Sequence, residues 1–233
     1  MILLVIIVLI VVLLIKFFRT TKIKWGTFLH KGVKVNNSRY GVYCYCGKQG
    51  SGKTSSALQF IKDNLDSDYD VYCNLSSIKG FNYYYFNGLE GLLSLRNKKH
   101  CIIFYDEIFT LLTKNSRITQ DILDFLSQMR KREIIFLTTA QEWLELSMTL
   151  RRYCKYQVQC SIINIPFLPS FSFKQINNAE QMKWSQEDND YIAPLVCNTL
   201  SKLNKSTLDL YDTYEQISST EIVYPTYIDN SKS

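Results

Sequence analysis

An α/β fold, a central sheet flanked by helices, is predicted from three observations in the 233-residue sequence. From residue 39 onward, β-branched and aromatic runs alternate with helix-forming stretches. The run Val42–Cys46 breaks into a glycine-rich turn, residues 47–52, and passes directly into the helix formers Ser55–Lys62. The run Cys101–Tyr105 is apolar or aromatic throughout and ends in Asp106-Glu107, as a strand covered on both faces would.

Composition fits this reading. Hydrophobic residues make up 46% and aromatic residues 14%, enough for one core domain with appendages. The net charge of +6 is compatible with nucleic acid or an anionic membrane surface. Seven cysteines, at 44, 46, 73, 101, 154, 160 and 197, include no C-x-x-C pair and no Cys/His cluster. Neither a zinc site nor a disulfide framework is supported. Cys44 and Cys46 share one face of a strand and read as small core residues, in keeping with a reducing compartment.

The first element is a run with no polar side chain from Met1 to Ile15, extended by Lys16-Phe17-Phe18-Arg19. Eighteen residues at about 1.5 Å each span about 27 Å, against a bilayer core of about 30 Å. Basic residues follow the run instead of preceding it, and no small-residue cleavage site is evident, which is unlike a signal peptide. Residues 1–19 therefore read as a single transmembrane anchor, with the N-terminus outside and the remainder in the cytoplasm. Residues 20–38 read as a polar linker in which Trp25 and Phe28 lie at the membrane interface or at the sheet edge.

The core elements follow in order. A strand at 41–46 is followed by a helix to about Asn64, and Asp70–Leu75 reads as a second strand. The aromatic cluster 80–88 reads as a packed loop or short strand in preference to a base-stacking surface, because no basic residues interleave within it. Residues 118–132 show a helical stripe of Ile118, Ile122, Leu123, Leu126 and Met129, ending in Arg130-Lys131-Arg132. Another buried strand, 133–139, precedes the polar tip Thr139-Ala140-Gln141. A strand at 153–160 and a hairpin around Pro166 and Pro169 complete the core. Residues 176–233 are polar with weak periodicity, and Leu208–Thr213 reads as an ordered return to the core.

The chemistry is concentrated in two places. Gly47, Gly52, Lys53 and Thr54 match G-x-x-x-x-G-K-[ST]. Glycines let backbone N–H groups curl around a phosphate, and the following helix adds its positive end. Gly47, Lys48, Gln49, Gly50, Ser51, Gly52, Lys53, Thr54 and Ser55 are thus the expected nucleotide-binding residues. Lys53 would reach the β- and γ-phosphates, and Thr54 would ligate Mg²⁺. Asp106, at the carboxyl end of its strand, would hold Mg²⁺ with Thr54. Glu107 is placed to take a proton from the attacking water. Gln141, at the level of the γ-phosphate, would hold that water or sense the phosphate. ATP and Mg²⁺ are the expected cofactors.

The order of phosphate loop, Asp-Glu strand, basic-ended helix, Gln141-tipped strand and Leu150-Arg151 resembles, over residues 38–160, the FtsK–HerA branch of P-loop ATPases. It looks especially like viral members of that branch, the Zot-like assembly ATPases of filamentous phages and the packaging ATPases of membrane-containing viruses. The resemblance implies a RecA/FtsK-like P-loop NTPase core at 39–175, preceded by the anchor and followed by a partly flexible extension at 176–233. It implies a homo-oligomeric ring, a hexamer, completed by an arginine from a neighbouring subunit: Arg151, then Arg130 and Arg132. It further implies a membrane-anchored motor in the host cytoplasm that translocates DNA in virus assembly, packaging or extrusion. A nucleotide-dependent scaffold recruiting coat or secretion proteins is the alternative. A small-molecule kinase is a third reading, disfavoured by the anchor and by the lack of a basic lid segment.

Overall fold

The computed structural model describes residues 5–12, 23–25, 39–65, 68–108, 112, 118–164, 170–187, 189–203, 209–212 and 220–230. Its centre is a ten-stranded mixed sheet. The parallel part runs β7 (Cys154–Ile163), β2 (Gly41–Cys46), β6 (Ile134–Ala140), β5 (Cys101–Tyr105), β3 (Asp70–Cys73) and β4 (Tyr83–Asn87). β8 (Phe171–Asn178) pairs antiparallel with β7, and β11 (Leu195–Lys202) antiparallel with β8. β1 (Ile23–Trp25) closes that edge parallel to β11, and β12 (Ile222–Ile228) closes the other antiparallel to β4. A small hairpin of β9 (Lys183–Ser185) and β10 (Asp190–Ile192) stands apart.

Successive side chains of a strand point to opposite faces, and here both faces are covered. Tyr43 and Tyr45 of β2 join α2 (Lys53–Asn64) in one core layer with Leu58, Phe60 and Ile61. Val42, Cys44 and Cys46 enter the other layer, built with Leu92 of α3 (Gly88–Ser94) and with Ile122, Phe125 and Leu126 of α4 (Gln120–Gln128). Leu150 of α5 (Met148–Tyr153) extends that second layer. This two-sided burial is why β2, β5 and β6 are buried at every position and read as unbroken apolar runs. All seven cysteines are free and buried.

Several expectations change in detail. The aromatic cluster becomes β4, a strand of the main sheet, with Tyr84 stacked on Tyr72 at 5.1 Å. The helix expected over 118–132 is confined to Gln120–Gln128, and Phe125, absent from the expected stripe, is buried in its place beside half-buried Leu123. The boundary expected at residue 175 falls inside β8, and residues 176–233 contribute β11 and β12 to the same sheet. The expected linker supplies β1; its Phe28 and the Pro166 and Pro169 turn lie outside the described residues, although β7 and β8 do pair as a hairpin.

Residues 5–12 form a helix, α1, whose eight aliphatic side chains are 46–60% exposed. The rest of segment 1–19 lies outside the described residues. Among the described residues no helix is long and apolar enough to cross a membrane.

Candidate functional site

The phosphate loop follows directly from β2. Gly47 adopts φ 151°, and a Cβ there would stand 2.5 Å from Ser51 Oγ and 2.6 Å from the Cys160 carbonyl oxygen. Only glycine fits. The Gly47 N–H donates to the Ala140 and Gln141 carbonyls, at 3.3 and 3.1 Å, which fastens the loop to the tip of β6. Ser51 N–H donates to the Lys48 carbonyl at 3.1 Å, closing the turn. Gly52 caps α2 in the left-handed region, at φ 78° and ψ 26°. Lys48, Gln49 and Gly50 are exposed at the crest, while Ser55 is buried and donates its hydroxyl to the Gly52 carbonyl at 3.1 Å.

Lys53 folds back over the loop, its Nζ donating to the Lys48 carbonyl at 3.2 Å. Ser51 Oγ is buried without a hydrogen-bond partner. An orphaned hydroxyl, a flexible ammonium and the first, unpaired N–H groups of α2 converge here, which is the donor set a phosphate requires. The loop residues therefore fit a nucleoside phosphate.

The acids reach the loop across one intervening strand, β6. Thr54 Oγ1 donates to Asp106 Oδ1 at 3.0 Å and lies 3.2 Å from Oδ2. Thr139 Oγ1, on β6, donates to Asp106 Oδ1 at 2.7 Å and accepts from the Glu107 N–H at 2.8 Å. Asn74, at the end of β3 and 1% exposed, clamps the acid's backbone. Its Oδ1 accepts from the Asp106 N–H at 2.7 Å and its Nδ2 donates to the Asp106 carbonyl at 3.2 Å. Glu107 then turns into the left-handed region at φ 56°, a conformation costly for a residue with a Cβ. These bonds hold it there.

Burial pushes the Asp106 carboxyl up to about 6, against the hydrogen bonds from Thr139 and Thr54, which pull it down. A threonine hydroxyl and a carboxylate 3.0 Å apart form a hard-oxygen pair that suits Mg²⁺. Tyr211, from the far C-terminal region, lies near Thr54 and Asp106; burial and the Asp106 charge push its phenol up.

The structure thus joins Gly47–Ser55, Asp106, Glu107 and the backbone of Gln141 at one end of the sheet. The Gln141 side chain is exposed there. Arg151 does not join them as a group free to reach a neighbour. It is 5% exposed and its Nη1 donates to Asp190 Oδ2 at 3.1 Å within the same chain. Arg130 is 53% exposed and ion-paired with Glu180, and Arg132 donates to Gln128 Oε1 at 2.6 Å. Asn74, Thr139 and Tyr211 were not among the expected site residues. Asn74 carried a usable signal, a polar residue terminating an apolar strand as Asp106 does; Tyr211 carried none.

The sequence profile of the ATPase family associated with various cellular activities (AAA) matches residues 43–162. A cytoplasmic dynein heavy chain of Paramecium tetraurelia is 28% identical over 131 residues, 52% of this chain and 3% of that one. The chain therefore spans only a small part of that relative's length. Among solved structures, the N-terminal domain of zonular occludens toxin from Neisseria meningitidis superposes with a TM-score of 0.51 at 16% identity, covering 74% of this chain and 98% of that domain. The genome packaging NTPase B204 from Sulfolobus turreted icosahedral virus 2, in complex with ATP-gammaS, gives a TM-score of 0.45 at 10% identity, over 70% of this chain and 100% of that one. The zonular occludens toxin domain shares the fold.

Proposed function

Because the chain belongs to the ATPase family associated with various cellular activities (AAA) and is an NTP-hydrolysing enzyme, we propose that it is a membrane-anchored, ATP-driven motor that translocates DNA during virus assembly, packaging or extrusion. The observation that carries the hydrolytic part is the 3.0 Å contact between Thr54 and Asp106, with Glu107 held beside it. The loop residues 47–55 bind the triphosphate, and Lys53 swings from the Lys48 carbonyl to the β- and γ-phosphates. Thr54 and Asp106 would hold Mg²⁺, which would supply charge neutralisation at the phosphates. Glu107 accepts the proton of the attacking water, and Gln141 orients that water.

Three features support the larger role. Residues 38–160 resemble the FtsK–HerA branch, whose members work as rings; a hexamer is proposed here. The net charge of +6 favours a polyanion. Eight consecutive aliphatic side chains at 5–12 present 46–60% of their surface, as an anchor's would. With Arg151 5% exposed and tied to Asp190, Arg130, 53% exposed although paired with Glu180, is the first candidate for the arginine supplied to a neighbouring subunit.

The test is ATP turnover by the full chain with single- and double-stranded DNA compared side by side. DNA stimulation that is lost in Lys53→Ala and Glu107→Gln supports the motor. Turnover indifferent to DNA at every salt concentration refutes it, and recovery of coat proteins without nucleic acid would then favour an assembly scaffold.

A further inference from the structure

The end of the sheet away from the phosphate loop carries a second concave site. Asp70 opens β3, while Asn74, which clamps the acidic turn, follows that strand's other end. A cavity of about 340 Å³ lies beside Asp70, lined by Tyr69, Asp70, Val71, Asn82, Tyr84 and Tyr227. Alternation along β3 puts Asp70 and Tyr72 on one face. Register then sets Tyr72, Tyr84 and Tyr227 side by side across β3, β4 and β12. Tyr84 is stacked on Tyr72 at 5.1 Å, and Tyr227 packs against Tyr84 at 5.2 Å. Asn82 Oδ1 accepts from the Asn230 N–H at 2.8 Å, and Asn230 Nδ2 donates to the Ile78 and Phe81 carbonyls at 2.7 and 2.9 Å. These bonds pin the end of β12 and hold the cavity preformed.

Its chemistry suits an organic cation. The Asp70 carboxylate is exposed and accepts a long hydrogen bond from the Tyr72 hydroxyl at 3.4 Å. Among the described residues it forms no ion pair. Aromatic faces are electron-rich, and neighbouring rings already hold cations. Arg39 lies 4.9 Å over Tyr69, and Lys98 lies 5.6 Å over Tyr72. Tyr227 ends the row of rings with 52% of its surface exposed. A planar guanidinium can stack on such a ring while its N–H fork pairs with a carboxylate, whereas an ammonium has no fork. A nucleobase would find the ring, but its phosphate would meet the Asp70 charge. The volume lies at the lower end of the range for small-ligand sites, about 300–1,000 Å³, and admits one side chain.

We propose that this cavity receives an arginine side chain presented by a partner protein, its guanidinium held by the Asp70 carboxylate and the Tyr227 ring. The inference goes beyond the motor reading and rests on neither the nucleotide site nor DNA. It gives the chain a docking point for a second protein at the end of the sheet opposite the phosphate loop. Because Tyr227 belongs to β12, the docking point is complete only when that strand is paired with β4.

Amide NMR spectra of the full chain, titrated with N-acetyl-arginine methylamide, test it. The Asp70, Asn82 and Tyr227 signals should move saturably, with a dissociation constant of about 1 mM for a ligand of that size. The citrulline analogue keeps the shape and loses the charge, and should bind the wild-type chain at least about tenfold more weakly. Asp70→Asn should weaken the arginine probe at least about tenfold, and Tyr227→Leu about threefold or more. Both positions are exposed, and the citrulline comparison needs no variant, so a folding defect cannot decide the outcome. Absence of saturable movement, equal binding of citrulline, or arginine binding unaltered in both variants overturns the proposal. Binding of methylguanidinium without binding of the backbone-linked arginine would overturn the protein partner. Movement of the same three signals by oligothymidylate would overturn it in favour of a nucleobase site.

Discussion

Replacing Asn74 by alanine tests how the acidic turn is held. The side chain is 1% exposed and makes two bonds to one residue, accepting from the Asp106 N–H at 2.7 Å and donating to the Asp106 carbonyl at 3.2 Å. Truncation leaves a buried N–H without a partner, costing about 1–3 kcal/mol, and removes a second bond worth about 1 kcal/mol. A total of about 3 kcal/mol corresponds to a urea midpoint lowered by about 1.5 M at a slope of about 2 kcal/mol/M. Because the released turn also carries the Asp106 carboxylate and the strained Glu107, Mg·ADP affinity should fall alongside stability. Asn74→Asp keeps the acceptor but sets a carboxylate against the Asp106 carbonyl, so it should rescue neither property. Equilibrium urea unfolding and calorimetric ADP titration measure both. A midpoint within about 0.3 M of wild type, with unchanged Mg·ADP binding, would refute the clamp.

Gly47→Ala would bring a methyl group to 2.5 Å from Ser51 Oγ and 2.6 Å from the Cys160 carbonyl; nucleotide binding should be lost, with a stability cost of about 2 kcal/mol or more by thermal unfolding. The carboxyl of Asp106, raised to about 6, stabilises the folded chain most below about pH 4, its ordinary value, and that contribution is lost as pH rises through 6. Metal competes with that proton, so Mg·ADP affinity should fall roughly tenfold per unit below pH 6 and level off above it; an affinity flat from pH 5 to 7 would contradict the assignment. Arg151→Ala strips a partner from Asp190, whose side chain is 22% exposed, and should destabilise each chain by about 2–3 kcal/mol, discounted for that exposure. If the variant is instead fully stable and its turnover is restored by mixing with Lys53→Ala chains, Arg151 acts in trans after all.

What could be read in the sequence was local. The phosphate loop is a contiguous strand, turn and helix, and its glycines carry the same meaning in any fold. The Cys101–Tyr105 run announced itself because a strand covered on both faces has no polar alternation to hide it. Contacts closed by the sheet were not legible. Asn74 meets Asp106 across 32 residues and Thr139 meets it across 33, and only the pairing of β5 with β3 on one side and β6 on the other brings them together. Helix α3 has a weak sequence signal because Gly88 and Gly91 argue against a helix. The structure supplies their reason: a Cβ at Gly91 would lie 2.5 Å from the Ile222 carbonyl oxygen, so the glycine lets α3 approach β12. The same strand explains why residues 176–233 looked like an appendage. β11 and β12 are outer strands of the sheet, where half-polar sequences suffice.

The convergence of the phosphate loop and the acids on one metal–triphosphate is tested most directly by the dissociation constant of ADP, with Mg²⁺ and with EDTA, for the wild-type chain and for Asp106→Asn. The geometry predicts that Asp106→Asn weakens Mg·ADP binding at least about tenfold while leaving ADP binding in EDTA unchanged. Equal Mg·ADP affinity in the two chains would mean that the carboxylate 3.0 Å from Thr54 is a packing group, and that the metal lies elsewhere.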